Sequence, residues 1–149
     1  MPTDTVTAGK PVLIRCPLCG TLNRVDLARL GDGPKCAKCK RPLLLDRPQP
    51  VTDADFQRII HGSSVPVLVD FYADWCGPCH MMAPTLDAFA SSHKGDVLVL
   101  KLDTDANQQT SMQYGIRSIP TMIAFRDGKE SKRQVGVSDK ATLERLVER

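Results

Sequence analysis

The stretch Val67-Leu68-Val69-Asp70-Phe71-Tyr72-Ala73-Asp74-Trp75-Cys76-Gly77-Pro78-Cys79 joins an apolar run to two cysteines that are separated by two residues. The apolar run predicts a buried strand over 65–73, and the residues that follow predict a helix over 76–94. A thiolate in the first turn of a helix faces unpaired N–H groups and the positive end of the helix dipole, which favour its formation. The stretch therefore predicts a redox-active pair, in preference to half of a zinc site or an inert disulfide.

Helical and strand patterns alternate on both sides of this stretch. Thr52 and Asp55 have the spacing of a capping box, Ser138 is placed to cap a final helix, and Asp127-Gly128 is typical of a hairpin turn. The patterns predict further helices over 52–60, 106–114 and 138–148, and further strands over 97–103, 121–125 and 130–137. This order predicts an α/β domain with a mixed central sheet that is covered on both faces.

Two more cysteine pairs precede this domain, each with two intervening residues: Cys16, Cys19, Cys36 and Cys39. Their spacing predicts one structural zinc ion that is closed by four thiolates, in preference to two disulfides or four free thiols. Gly20 and Lys40 suit the tight turn that follows each pair. A segment this short has little core, so metal binding would supply folding energy.

Around these cysteines the sequence predicts a small zinc-ribbon-like domain. We expect a flexible tail over 1–11, flanking strands at Val12–Ile14 and Leu43–Leu45, and a strand or helical turn over 23–30. Two prolines make 46–50 a stiff linker, so the first strand of the second domain is expected to be short, displaced to the edge, or supplied by Leu43–Leu45. The predicted domains are 1–47, comprising the tail and the ribbon-like segment, and 48–149.

Composition narrows the class of protein. An apolar share of 42% and a charged share of 25% are normal for a globular chain. No apolar stretch is long enough to span a membrane, and the N-terminus lacks a signal-peptide core, so we expect a cytoplasmic protein without membrane partners.

Residues 1–50 carry nine Lys or Arg and four Asp, but the cysteine-rich part has no aromatic residue. Nucleic acid is therefore a poorly supported partner.

The 67–79 stretch, together with Lys101-Leu102-Asp103, Ile119-Pro120-Thr121 and Val135-Gly136, closely resembles the thioredoxin family over about residues 51–149. With the two preceding cysteine pairs, the chain looks like the bacterial thioredoxin 2 group. The resemblance implies a thioredoxin fold and a protein-disulfide reductase that thioredoxin reductase recharges and that acts on oxidised cytoplasmic proteins. Nothing resembles a dinucleotide-binding loop, so we expect no bound organic cofactor, and we expect a monomer.

The resemblance also implies roles for single residues. Cys76 would attack the substrate disulfide and Cys79 would resolve the mixed disulfide. Asp70 interrupts an apolar strand, which predicts burial and a raised pKa, and the family assigns the matching acid to proton transfer with Cys79. Lys101 matches the lysine that approaches this acid, although alone it could equally be a solvated charge. The resemblance implies a cis peptide bond before Pro120. It also implies a set of substrate-binding residues: Trp75, Gly77, Pro78, Ile119, Pro120 and Gly136.

Two departures and one rival interpretation remain open. Tyr72 and His80 stand where many thioredoxins carry Trp and Lys, and either residue could tune the redox pair. The alternative function is a zinc-dependent redox sensor or regulatory binding protein, in which oxidation of the four-cysteine cluster expels the metal. Such a sensor would have to release zinc at oxidant levels that leave the protein folded.

Overall fold

The structure is a computed structural model that describes residues 9–148, so most of the predicted tail lies outside the described residues. Its seven strands are β1 (Pro11–Arg15), β2 (Leu22–Asp26), β3 (Gln49–Pro50), β4 (Val67–Tyr72), β5 (Leu98–Asp103), β6 (Thr121–Arg126) and β7 (Lys129–Val135). Its α-helices are α1 (Phe56–His61), α2 (Gly77–Ser92), α3 (Gln108–Gln113) and α4 (Lys140–Val147), and a 3₁₀ segment spans Leu27–Asp32.

The central sheet has five strands in the order β3-β5-β4-β6-β7. Strands β3, β5 and β4 run parallel, whereas β6 and β7 are antiparallel to their neighbours. In this register Asp70 lies between Lys101 on β5 and Met122 on β6. The predicted mixed α/β sheet of a thioredoxin fold is therefore confirmed.

Alternating side chains give the sheet two buried faces. Val67, Val69 and Phe71 of β4 belong to a core that includes residues of α1. Leu68 of the same strand belongs to a second core, with Met82 of α2 and residues of α4. Because side chains alternate along a strand, Asp70 points to the same face as Leu68, the face covered by α2. This placement brings the acid beneath the helix that carries the two cysteines.

The four-cysteine segment packs directly on α1. Strands β1 and β2 form an antiparallel hairpin, and Val12 and Ile14 of β1 share one buried core with Phe56 and Ile59. At the same boundary, Arg15 Nη1 lies 3.1 Å from Asp55 Oδ2. The ribbon-like segment and the sheet domain are thus joined by a continuous core rather than by the linker alone.

Several predicted boundaries within the N-terminal half need correction. Leu43–Leu45 is not a strand: Leu43 N–H donates to Pro34 O within the ribbon. The first strand of the sheet is instead β3, which is short and lies at the edge. The two prolines of the 46–50 linker predicted such a strand as one of the possibilities. Residues 23–30 contain both structures that the sequence allowed, since β2 continues into the 3₁₀ segment.

Two predicted helix starts are wrong. The Asp55 carboxylate accepts the Thr52 N–H at 2.8 Å, as the predicted capping box requires, but residues 53–55 form a turn and the helix begins only at Phe56. The last helix is capped by Asp139 rather than Ser138: the Asp139 side chain accepts the Thr142 N–H at 2.9 Å. The bounds of the other predicted elements from 65 onwards agree within two residues.

Candidate active site and metal centre

Cys76 and Cys79 lie where β4 ends and α2 begins. Cys76 is the N-cap of α2, and its Sγ accepts the Cys79 N–H at 3.2 Å. The two sulfurs form a disulfide, with the Cα atoms 5.3 Å apart. Pro78 occupies the first helical turn, where its missing N–H costs no hydrogen bond. This geometry gives Cys76 the stabilising N–H contact that a thiolate would keep after reduction.

Asp70 is buried on the α2 face, as the sequence predicted. Its residue surface is 6% exposed, and burial raises its pKa to about 7 against the opposing effect of the Lys101 charge. Within the described residues, its Oδ1 has no hydrogen-bond partner. Asp70 and Cys79 line the same cavity of about 140 Å³. A carboxyl that titrates near neutrality thus lies close to the second cysteine.

Lys101 opposes Asp70 on β5 but keeps an exposed side chain. Its Nζ lies 5.2 Å from the centre of the Tyr72 ring, within cation–π range. In the described part of the chain, no ion pair joins Lys101 to Asp70. Lys101 therefore acts on the Asp70 carboxyl through charge at a distance rather than through a direct bond.

The Ile119–Pro120 peptide bond is cis and lies beside the disulfide. Cys76 Sγ is 3.7 Å from Ile119 O, and Gly136 N–H donates to Pro120 O at 2.8 Å. Three of the predicted substrate-binding residues therefore lie together next to Cys76: Ile119, Pro120 and Gly136. The turn between the two cysteines adds two more, the exposed residues Gly77 and Pro78.

Trp75 lies at the surface rather than in the core, with 72% of its area exposed. Its Nε1 donates to Asp105 Oδ2 at 2.8 Å, which orients the ring beside the redox turn. Asp105 is a residue that the sequence reasoning missed. Trp75, the hydrogen-bond partner of Asp105, lies 30 residues away in the chain, so no local sequence pattern could have revealed this contact.

The four N-terminal cysteines form one cluster, in which the sulfur atoms all lie within 4.8 Å of one another. The Sγ–Sγ distance is 3.7 Å for Cys16 and Cys39, and 3.5 Å for Cys19 and Cys36. Four thiolates around one zinc ion, with bonds of about 2.3 Å, would place their sulfurs about 3.8 Å apart. The cluster therefore fits a single tetrahedral metal ion with no open position.

The two cysteine pairs adopt matching turns. Gly20 N–H donates to Cys16 O, and Lys40 N–H donates to Cys36 O, both at 2.9 Å. Gly20 and Lys40 both have the left-handed backbone, with φ of 80° and 68°, so both predicted turn residues are confirmed. The pKa of Cys36 falls to about 6 because the Cys39 N–H and then the Asn23 side chain stabilise its thiolate. Asn23, which also accepts the Ala37 N–H at 2.9 Å, was missed at the sequence level.

The family model described as Thioredoxin matches residues 47–149. The chain belongs to the thioredoxin family. A second model, Thioredoxin 2, N-terminal, matches residues 15–41, the part that holds the four-cysteine cluster.

Individual thioredoxins agree with this assignment. The chain is 48% identical to thioredoxin 1 of Nostoc sp. over 99 residues, which cover 66% of this chain and 92% of that protein. It is 52% identical to a thioredoxin of Alicyclobacillus acidocaldarius over 94 residues, 63% of this chain and 89% of that protein. A solved structure of a mutant thioredoxin from Halobacterium salinarum matches with 34% identity and a TM-score of 0.59, covering 70% of this chain and 91% of that one.

As a thioredoxin with a Cys-x-x-Cys disulfide at the start of α2, the chain is a dithiol–disulfide oxidoreductase of the protein-disulfide reductase type. Of the two residues that depart from many thioredoxins, Tyr72 contacts Lys101 as described, and His80 lies exposed with Nε2 2.5 Å from Asp74 O. Within residues 9–148, no helix has the length and apolar character needed to cross a bilayer.

Proposed function

We propose that this thioredoxin reduces protein disulfides in two exchange steps and that Cys76 attacks first. The observation that carries the proposal is the N-cap position of Cys76, whose Sγ already accepts the Cys79 N–H. The Cys76 thiolate forms a bond to one substrate sulfur and displaces the other as a thiolate. Cys79 then attacks the Cys76 sulfur, which restores the Cys76–Cys79 disulfide and releases the second substrate thiolate. Two electrons pass from the protein to the substrate.

Asp70 serves this sequence by accepting the Cys79 proton as that thiol attacks. Two features support the assignment: Asp70 and Cys79 line one cavity, and burial keeps the pKa of Asp70 near 7. A base that titrates near the working pH is the most effective proton acceptor. Lys101 assists by favouring the ionised carboxylate through its charge.

The substrate chain binds in extended form over Trp75, Gly77, Pro78, Ile119, Pro120 and Gly136. The Ile119 carbonyl, 3.7 Å from Cys76 Sγ, is available to pair with a substrate backbone N–H. An oxidised protein segment docked there would present its disulfide to Cys76. Oxidised cytoplasmic proteins are the proposed substrates, and thioredoxin reductase is the proposed electron donor, on the strength of the family membership.

We also propose that Cys16, Cys19, Cys36 and Cys39 hold one structural zinc ion. The sulfur separations support the proposal, as does the match to the N-terminal model of thioredoxin 2. A site closed by four thiolates has no position for a reacting water, so its contribution is folding energy. Metal analysis of the purified protein should give one zinc per chain.

Reduction of insulin disulfides tests the reductase proposal. The wild-type chain should sustain turnover with NADPH and thioredoxin reductase, whereas Cys76→Ser should show none. Dithiothreitol in place of the reductase provides a control, because it separates loss of recharging from loss of substrate reduction. Turnover by Cys76→Ser, or a folded wild type that is inactive with both donors, would overturn the proposal and favour the sensor alternative.

A further inference from the structure

A residue of the linker borders the cavity beside Asp70. Pro48 lies between the four-cysteine segment and β3, and it lines the 140 Å³ cavity together with Asp70, Cys79 and Lys101. The linker therefore reaches the acid that the proposed mechanism uses.

Pro48 also lines a second space, next to this cavity. This space is an outer depression of about 440 Å³, and Pro48, Asp87 and Lys101 line both spaces. These three residues are therefore shared by the Asp70 cavity and the outer depression, and they form one side of that cavity. Asp87 and Lys101 are exposed, flexible side chains, whereas Pro48 is a rigid ring that is half-buried.

Gln49 fixes the position of Pro48. Its side chain is buried, and Nε2 donates to Leu44 O at 2.6 Å and to Arg47 O at 2.8 Å. The backbone of Gln49 is at the same time paired with Leu100 in the sheet. Gln49 thus ties the end of the four-cysteine segment to the sheet, with Pro48 directly ahead of it.

We propose that Pro48, held in place by Gln49, restricts the access of water to the Asp70 carboxyl and so sets the pH range in which Asp70 accepts a proton. The inference rests on the proposed role of Asp70 in reduction. Pro48 is a positioning residue in this account, because it acts on the reacting groups only through the hydration of Asp70.

Removal of the Pro48 ring changes hydration and leaves the charges around Asp70 in place. The titratable and charged groups that line the cavity or its outer depression are Tyr72, Asp74, Cys79, His80, Asp87, Lys101, Asp46 and Arg47. Burial is the main cause of the raised pKa of Asp70. Additional water stabilises the charged form, so this pKa should fall in a Pro48 variant.

The test is direct titration of the Asp70 carboxyl carbon by NMR in the oxidised, zinc-loaded full chain, with Asp70→Asn to assign the signal. Pro48→Gly should lower the pKa of Asp70 by about half a unit or more, and Pro48→Ala should lower it less. Pro50→Gly is the matched control: Pro50 is equally half-buried and two residues away, but it does not line the cavity. Its Asp70 titration should match the wild type.

Gln49→Ala should shift the titration in the same direction, because it releases the linker without altering Pro48. Far-UV circular dichroism and zinc content confirm the fold of each variant. If Pro48→Gly does not fold, Pro48→Ala and Gln49→Ala decide the question. Unchanged titration in the folded variants, or an equal shift in Pro50→Gly, would overturn the inference. The measurement needs no substrate, so a failed reductase assay of the wild type remains a separate result.

Discussion

At the scale of single residues, Asp70 shows how much one position can reveal. A lone carboxylate within an apolar strand predicted burial, and the structure leaves its Oδ1 without a partner in the described residues. The protein therefore carries an unfavourable group at the centre of its sheet. This cost in stability is consistent with the proton-transfer role that we propose for Asp70.

Asp70→Asn should stabilise the protein at neutral and alkaline pH. The folded pKa of about 7 lies above the ordinary value of 3.8, so wild-type stability falls as pH rises between these values. An Asn side chain does not ionise, so the variant does not lose stability as the pH rises through this range. Its free energy of unfolding should exceed the wild-type value by up to about 4 kcal/mol above pH 7, and by much less near pH 4.

Urea denaturation at pH 4.5 and pH 8 checks this expectation. Asp87→Asn is the control, because Asp87 is an exposed carboxylate at the rim of the same cavity. As an exposed surface substitution it should change stability by less than about 0.5 kcal/mol. An Asp70→Asn variant that is no more stable than the wild type at pH 8 would mean that the carboxyl is well solvated.

At the scale of elements, local signals predicted the α/β alternation but not the long-range contacts that hold the ends of some elements. The Asp127-Gly128 turn joins β6 and β7 as predicted, with φ of 53° and 77° that suit a two-residue hairpin. The start of α3 is different. Its N-cap, Asn107, makes no side-chain cap, and the Asp53 carboxylate instead accepts the N–H groups of Gln109 and Thr110.

Asp53→Ala should therefore destabilise the protein by about 1 kcal/mol, through the start of α3. Burial acts to raise the pKa of Asp53, but the hydrogen bonds from Thr110 and Gln109 outweigh it and lower the pKa. The stabilisation is present above about pH 4 and is lost as pH falls further. Thermal unfolding at pH 7 and pH 3 measures the difference.

Thr110→Val provides the graded control for this cap. It removes only the hydroxyl donor to Asp53, at 2.6 Å, and keeps the backbone N–H contacts. Its cost should be smaller than that of Asp53→Ala. Equal stability of Asp53→Ala and the wild type at pH 7 would show that α3 does not depend on this long-range cap.

At the scale of the whole molecule, the sequence predicted two units but not their packing. The cysteine spacings and the 67–79 stretch each carry a local signature, whereas the contact of β1 with α1 joins residues that are far apart in the chain. The division after residue 47 stays a prediction, as do the cytoplasmic location and the monomeric state. The shared core implies that the ribbon-like segment stabilises the sheet domain.

Arg15→Ala should weaken this junction. It leaves Asp55, whose side chain is 6% exposed, without its cationic partner. We expect a loss of about 1–2 kcal/mol in the free energy of unfolding, because a buried charge loses its pair. Arg24→Ala is the matched control, since Arg24 is exposed on β2 and should matter by less than about 0.5 kcal/mol. Similar losses for the two variants in urea denaturation would contradict the role of the pair.

The most direct test of the central claim is to trap the covalent intermediate. A Cys79→Ser variant lacks the resolving thiol, so it should accumulate a mixed disulfide with an oxidised protein substrate. Peptide mapping by mass spectrometry should place that bond on Cys76 and should find no trapped species with Cys76→Ser. A mixed disulfide on one of the four N-terminal cysteines, or none on Cys76, would contradict the account.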